Sequence, residues 1–341
     1  MRELDPDALH RLVQRVTGHG PSSLSPLRGG VSCRRYLRVV TPAGTAVAMF
    51  APSADGDGAA VGAAPPRWPF LEVHALLRER GVRVPALLAE DCEHGLLLLE
   101  DLGDRTLAAF VEREPARRAE VYALAVRDLA RAQRALAALP RGSIVDACAL
   151  DATLLRWELD HFRAWALDAR GLRLDDAARA EFDALADRLA RRIAAWPRGF
   201  VHRDLQSRNL MVVDAPGGGL ELAWLDFQDA LLGPRVYDLA TLLNDSFQDL
   251  DRPFVEARLD EYAAAASLDR AAREALGREF ELVTVQRKLK DAGRFVFLDR
   301  IGADPSYLRY VEPALARARA ALSRLGDDAD MRALSRIVAR A

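Results

Sequence analysis

Cysteine is scarce in this sequence: Cys33, Cys92 and Cys148 are three in 341 residues, far apart and odd in number. They make neither a metal-type pair nor a disulfide framework, and they read as lone buried thiols in a reducing compartment. Charge of one sign is also lacking. A formal net charge of −2 argues against a dedicated nucleic-acid surface. No apolar run approaches the ~18 residues that a bilayer span needs. The start, Met1-Arg2-Glu3-Leu4-Asp5, lacks the basic-then-apolar layout of a signal peptide. These absences lead to the expectation of a cytoplasmic enzyme with no nucleic-acid partner and no membrane insertion. What is present is a chain that is 50% hydrophobic and long enough for a sizeable core in two lobes.

Residues 1–20 read as a short leading helix. Tyr36, Leu37, Val39 and Val40 are strand formers, Pro42-Ala43-Gly44 is a turn, and residues 46–50 form the next strand. Residues 51–66, rich in Gly, Ala, Asp and Pro, read as a mobile loop. Residues 68–80 are helical in pattern and Gly81 stops them. Two more strands are expected at 82–89 and 96–99. After Gly103 helices take over: Leu124, Ala125, Leu129, Ala132, Leu136 and Leu139 keep near a 3.6-residue period, as do Phe182, Leu185, Leu189, Ile193 and Trp196. One strand island interrupts them. Residues 199–202 are followed by 210–213 and 220–225, which flank Pro216-Gly217-Gly218-Gly219 as a hairpin. From residue 235 the pattern is helical again, and there is no internal repeat. The fold class expected is α+β and bilobal, of protein-kinase-like plan. A small β-rich N-terminal lobe spans residues 1–102, and a large helical lobe spans 103–341.

The chemistry is concentrated in His202-Arg203-Asp204-Leu205-Gln206-Ser207-Arg208-Asn209 and Asp226-Phe227-Gln228. An aspartate with an asparagine five residues on places a general base beside a metal-binding amide. A second aspartate after a hairpin can hold the same metal on nucleotide phosphates. Phosphoryl transfer from ATP needs charge neutralisation, in-line positioning and an oriented hydroxyl. Asp204 is the candidate base or hydroxyl-orienting group. Asn209 and Asp226 are candidate Mg2+ ligands, since magnesium is hard, prefers oxygen and needs few protein ligands beside phosphates. The bland reading, a chance match with a helix-capping Asn, weakens once Asp226 follows a hairpin. His202 reads as a packed residue holding the loop, and Arg203 as pairing with a carboxylate or facing solvent. Asp238 has two structural readings: a helix N-cap, or a brace accepting hydrogen bonds from the catalytic loop's backbone. Gly29, Gly30 and Ser32 precede the first strong strands, where backbone N–H groups can approach phosphates. Backbone groups from Glu100 to Leu102 can read an adenine edge, with the Glu100 and Asp101 side chains solvated.

These motifs resemble the aminoglycoside phosphotransferase and choline kinase-like family of small-molecule kinases. The likeness runs through Phe200-Val201-His202-Arg203-Asp204-Leu205-Gln206-Ser207-Arg208-Asn209-Leu210-Met211 and Leu225-Asp226-Phe227-Gln228-Asp229-Ala230. It continues from Gly233-Pro234 to Tyr237-Asp238-Leu239-Ala240. The Gln206-Ser207-Arg208 insert, the Phe227-to-Ala230 run and Leu98-Leu99-Glu100-Asp101-Leu102-Gly103 resemble the bacterial cell-wall amino-sugar kinases. That resemblance implies ATP-dependent phosphorylation of the anomeric hydroxyl of N-acetylmuramate and N-acetylglucosamine, in peptidoglycan recycling. It covers roughly residues 20–310.

One departure from the family pattern stands out. Met49, in Ala46-Val47-Ala48-Met49, occupies the place of the strand lysine that grips the α- and β-phosphates, and Glu72 would lack that lysine as partner. A pseudokinase loses the lysine together with activity; in an active subgroup another cation takes over, and Arg34 or Arg35 is expected to supply it. The amino-sugar kinases it resembles also tend to lack this lysine. Asp226-Phe227-Gln228 is followed too closely by Gly233-Pro234 to leave room for an activation loop, which favours a small acceptor over a protein. Sugar sites want hydrogen-bonding side chains and an aromatic face. Trp157, Glu158, His161, Phe162 and Trp165 lie at helical spacing, with packing as their bland reading. Arg287 and Lys290 share one helix face, either solvated or binding an acceptor carboxylate. Gln206, Arg208 and Asp229 complete the expected substrate contacts. A kinase for an aminoglycoside or choline-like compound is the same-class alternative; a nucleotide-binding pseudokinase is the other.

Overall fold

The computed structural model describes residues 3–27, 34–52, 68–302 and 304–341. The expectations for Gly29, Gly30, Ser32 and Cys33, and for most of the 51–66 loop, lie outside these residues. The chain forms two compact units. One is Met1–Thr106 with Leu210–Asp229, and the other is Leu107–Asn209 with Ala230–Ala341.

The first unit is β-rich. Helix α1 (Pro6–Thr17) starts where Asp5 accepts from the Asp7 and Ala8 amides, and ends at Gly18, whose φ of 73° suits a residue without Cβ. Its apolar stripe, Ala8, Leu9, Leu12 and Val13, packs on Val39, Ala46, Ala48, Phe50, Leu96 and Leu98 from one face of the sheet. Each fully buried Leu or Val there contributes about 1.5–3 kcal/mol. The sheet orders β1 (Ser23–Leu27), β2 (Arg35–Thr41), β3 (Gly44–Phe50), β5 (Leu96–Glu100) and β4 (Leu87–Asp91), all antiparallel neighbours. Helix α2 (Pro69–Glu79) lies between β3 and β4 in sequence. Strand 82–89 is shorter than expected and begins at Leu87: Pro85 has no N–H for a ladder, and its carbonyl receives the buried His74 ring at 2.8 Å.

The hairpin of β7 (Leu210–Asp214) and β8 (Leu220–Trp224) also belongs to this unit. Arg105 ties β7 down, donating to Val212 O at 3.1 Å and to Asp214 at 2.9 Å. At the other strand the Trp224 amide donates to Arg83 O at 2.8 Å.

The second unit is helical, with α3 (Leu107–Arg113), α4 (Arg118–Ala135), α5 (Ile144–Ala147), α6 (Ala152–His161), α7 (Asp176–Ala194), α8 (Val236–Leu243), α9 (Arg252–Ala265), α10 (Arg270–Gly302), α11 (Val311–Arg324) and α12 (Ala329–Val338). A two-stranded antiparallel pair, β6 (Arg198–Val201) with β9 (Leu231–Pro234), is set among them. Strand β9 was not anticipated, nor was β1. The 33-residue α10 is the axis of the unit, packed against α6, α8 and α11. After His161, α6 widens into a π-helical turn, Phe162–Leu167. Among the described residues no helix is long and apolar enough to cross a membrane.

Candidate active site

Strand β6 delivers the chain to a tight turn. Arg203 has φ 78°, a left-handed conformation that a residue with a Cβ adopts only where its surroundings impose it. Asp238, inside α8, supplies the constraint. Its Oδ2 accepts from the His202 amide at 2.7 Å and its Oδ1 from the Arg203 amide at 3.0 Å. Asp245, just past the end of α8, accepts from the Ser207 amide at 2.7 Å and from the Ser207 hydroxyl. Both carboxylates are buried, so α8 brackets the loop with one near each end. Burial raises the Asp238 carboxyl above its ordinary value, against the pull of His202 and of the two amide bonds. Of the two readings for Asp238, the brace is the one the structure shows. His202 is fully buried and its Nδ1 accepts from the Asp204 amide at 3.3 Å.

Asp204 therefore emerges from a fixed backbone, with 39% of its side chain open to solvent. Burial pushes its carboxyl up. The charges of Arg287, Lys290 and Arg203, with the hydrogen bond from Arg287, outweigh that and hold it well below the usual carboxylate range. Arg287 Nη2 donates to Asp204 Oδ1 at 3.0 Å; its Nη1 donates to Arg203 O at 2.9 Å and to the Tyr237 hydroxyl at 3.0 Å. Behind this lies Glu158, whose Oε1 is 3.5 Å from Arg203 Nη2 and 3.9 Å from Lys290 Nζ, while its Oε2 accepts from Gln286 at 2.9 Å. Asp204, Glu158, Arg287 and Lys290, separate in sequence, thus form one charged cluster. A solvated basic face on α10 is corrected: Gln286, Arg287 and Lys288 are buried, because Glu158, Asp204 and Asp291 give their polar groups partners.

Asn209 Nδ2 donates to Asp204 O at 2.9 Å, which turns Oδ1 away from that carbonyl. Gln206 is half-buried and its carbonyl accepts from the Asn209 amide at 2.8 Å. Arg208 points elsewhere: its guanidinium carbon is 3.6 Å from the Phe247 ring centroid, and it donates to the Tyr310 hydroxyl at 3.3 Å.

In the first unit, Asp226 follows β8 with φ 59° and an exposed side chain. Phe227 anchors it, its buried ring 4.8 Å from Phe70 and 6.0 Å from His74 on α2. Gln228 Nε2 donates to Asp226 Oδ1 at 2.7 Å and lies 3.4 Å from Asp229 Oδ2. Glu100 is not simply solvated: Arg83 pairs with it at 2.6 Å and the Ala86 amide donates to it at 2.9 Å, so both hold its carboxyl below its usual range. Asp101 likewise receives Arg38 at 2.8 Å. Arg38 also reaches Asp104, tying β2 to the segment after β5. The Leu102 backbone N–H and C=O have no partner among the described residues.

Met49 is fully buried, paired with Tyr36 and Leu97. Strand alternation puts it on the face opposite Ala48 and Phe50, hence opposite α1. Arg35 stacks 5.0 Å over Phe50 and so lies on the α1 face. Of the two candidates for the missing cation, Arg35 is therefore on the face opposite Met49. Arg34, one residue earlier, has the parity of Tyr36 and Met49.

Residues 23–276 match the phosphotransferase enzyme family. The chain is 35% identical over 322 residues to the N-acetylmuramate/N-acetylglucosamine kinase of Pseudomonas aeruginosa, covering 90% of this chain and 88% of that one. The chain belongs to the phosphotransferase enzyme family. The solved gentamicin–APH(2")-IIa complex superposes on this phosphotransferase with TM-score 0.60 at 14% identity, covering 92% and 97% of the two chains. A choline/ethanolamine kinase family protein from Mesorhizobium loti gives TM-score 0.59 at 14% identity, covering 92% of each. These likenesses show the fold, the bilobal kinase-like one with a β-rich N-lobe and a helical C-lobe. The phosphotransferase is thus a small-molecule kinase acting on a hydroxyl-bearing substrate, and its family implies a nucleotide cofactor.

Taken singly, the Asp226 carboxylate in the first unit and Asn209 Oδ1 in the second are hard oxygen donors of the kind that Mg2+ takes beside phosphate oxygens. Sequence reasoning missed Asp245 and the coupling of Arg287 to Asp204. A signal for the second existed: Lys288 and Lys290 are the only lysines of a chain with 48 basic residues, and both sit beside Arg287.

Proposed function

We propose that this phosphotransferase moves the γ-phosphoryl group of ATP to the anomeric hydroxyl of N-acetylmuramate, N-acetylglucosamine or both, a step of peptidoglycan recycling. The observation that carries the reading is the Asp204 carboxylate, kept ionised by Arg287 on a loop that Asp238 and Asp245 brace, together with likeness over 90% of the chain to a kinase of those sugars. The first unit is the nucleotide lobe in this reading. The unbonded Leu102 backbone would meet the adenine edge, and Arg34 would approach the phosphates. Asn209 and Asp226 would each offer an oxygen to Mg2+, which would supply charge neutralisation on the phosphates.

Asp204 accepts the hydrogen bond of the acceptor hydroxyl and aims its oxygen at the γ-phosphorus. As the new P–O bond forms and the bond to ADP breaks, the hydroxyl proton passes to the Asp204 carboxylate. A carboxylate held this acidic is a weak base before the transfer. That suits an orienting role, and it suits an anomeric hydroxyl, which is more acidic than an ordinary alcohol. Arg203, Arg287, Lys290 and Arg294 on the acceptor side disfavour a polycationic aminoglycoside.

The test is ADP release with N-acetylmuramate and N-acetylglucosamine, with and without excess chelator, followed by NMR of the phosphorylated carbon. The wild type is expected to turn over both sugars at C1, and Asp204→Asn to lose at least about 100-fold in kcat. Wild-type rates no faster than Asp204→Asn, with ATP still bound, would select the pseudokinase instead.

A further inference from the structure

The stripe of cations along α10 does not end at Lys290. Arg287, Lys290 and Arg294 follow at helical spacing on one face. Arg287 is committed to Asp204, Arg203 O and Tyr237. Lys290 faces Glu158 at 3.9 Å and Asp291 at 4.0 Å. Arg294 is half-buried, yet among the described residues no carboxylate pairs with it and no acceptor receives it. Its guanidinium lies over the ring of Phe297, 4.9 Å from guanidinium carbon to centroid. Stacking engages the flat face of a guanidinium and leaves its N–H edge available for a bidentate bond to a carboxylate. Burial and the like charge of Arg203 lower the Arg294 pKa, and the pull of Asp204 and Tyr307 does not restore it. A guanidinium in that state gains from an added anion.

The surroundings give this anion a body. Phe297 lies 5.1 Å from Trp165 and 6.1 Å from His161, and His161 is 4.3 Å from Trp157, which is 54% exposed. Gly293 holds this group close to Arg294. A Cβ on Gly293 would stand 2.2 Å from the His161 carbonyl oxygen, so only glycine lets α10 meet the π-helical turn here. Such turns recur at functional sites. Around Asp204 the cations Arg203, Arg287, Lys290 and Arg294 outnumber the carboxylates Asp204, Glu158 and Asp291, an excess that suits an anionic acceptor.

We infer that Arg294 binds a carboxylate carried by the acceptor, and so decides preference between acidic and neutral sugars at the site. The inference rests on the amino-sugar reading. N-acetylmuramate carries such a group on its lactyl ether, and N-acetylglucosamine does not. Arg287, first expected to make this contact, is occupied by Asp204.

The experiment measures kcat and KM for both sugars and for ATP in wild type, Arg294→Ala and Arg294→Lys. Loss of a charge-assisted bond raises KM for N-acetylmuramate by roughly 10- to 100-fold in Arg294→Ala. KM for N-acetylglucosamine and for ATP then stays within about twofold, and Arg294→Lys recovers part of the loss. Equal losses with both sugars, or a raised KM for ATP, would assign Arg294 to the phosphates and overturn the inference; so would unchanged kinetics. Should the wild type phosphorylate neither sugar, the function above fails while the inference is still read by binding. N-acetylmuramate titrated against tryptophan fluorescence must then bind the wild type, weaken with salt, and lose affinity in Arg294→Ala. Absence of binding, or equal binding by wild type and variant, would overturn it.

Discussion

Arg287 donates to Oδ1 of Asp204 at 3.0 Å from a nearly buried guanidinium. The pair joins the long axial helix of the second unit to the loop that carries the candidate catalytic carboxylate. Burial alone would lower the pKa of Arg287, but Tyr237, Asp291 and Asp204 raise it well above its usual value, so the charge persists. Removing it takes a cation and a hydrogen bond from Asp204, and both losses raise the Asp204 pKa. Arg287→Gln is therefore expected to shift the acid limb of kcat/KM to higher pH by about one to three pH units. A pH–rate profile of wild type and variant checks this. An acid limb that stays in place would show that another group keeps Asp204 ionised.

Asp238 satisfies two amides of a turn whose central residue is left-handed. In Asp238→Asn the side-chain NH2 replaces one of the two acceptors, leaving one buried N–H unsatisfied at a cost of about 1–3 kcal/mol. The urea midpoint should fall accordingly, and kcat should fall by roughly 10- to 100-fold while KM for ATP changes little, because the brace acts on Asp204's position. A variant that lost stability but kept wild-type kcat would limit Asp238 to a folding role.

Lys288 and Asp291 form a buried pair at 2.7 Å, with Ser246 also accepting from the lysine at 2.8 Å. Burial raises the Asp291 carboxyl, yet Lys288, Arg287 and Lys290 bring it down to about 2. A carboxyl lower in the folded than in the unfolded chain contributes stability that is present above the ordinary pKa near 4 and disappears as pH falls toward 2. Asp291→Ala should cost about 3–5 kcal/mol at neutral pH by leaving Lys288 buried and unpaired. Its stability should then change less than the wild type's between pH 4 and pH 2. Urea titrations at several pH values measure both, and parallel curves for the two proteins would remove Asp291 from the acid response.

Much of the site was legible because local spacing carries it. Asp204 and Asn209 lie five residues apart on one loop, and the strands around Pro216-Gly217-Gly218-Gly219 announce their hairpin by alternation and turn residues. The brace by Asp238 was legible only as one of two roles, because the amides it holds are remote from it in the chain. Strands β1 and β9 were not, since short strands are defined by the partner that completes their ladder: β9 exists because Leu231 to Pro234 pair with β6. Of the two readings for the charge on α10, the solvated face fails because periodicity records where residues sit on a helix and not what faces them. Glu158, more than a hundred residues away, decides that Gln286 can be buried.

The sequence by itself determined the kinase plan, and it singled out the loop of Asp204 and Asn209 and the methionine at position 49, because each is a matter of residue type at short range. Tertiary structure decided which charges meet. It gave Asp204 its low pKa through Arg287, set Arg35 on the α1 face, and left Arg294 without a paired carboxylate among the described residues. Those outcomes depend on distances between residues remote in the chain, and electrostatic energy varies with that separation and with burial, neither of which the order of residues contains.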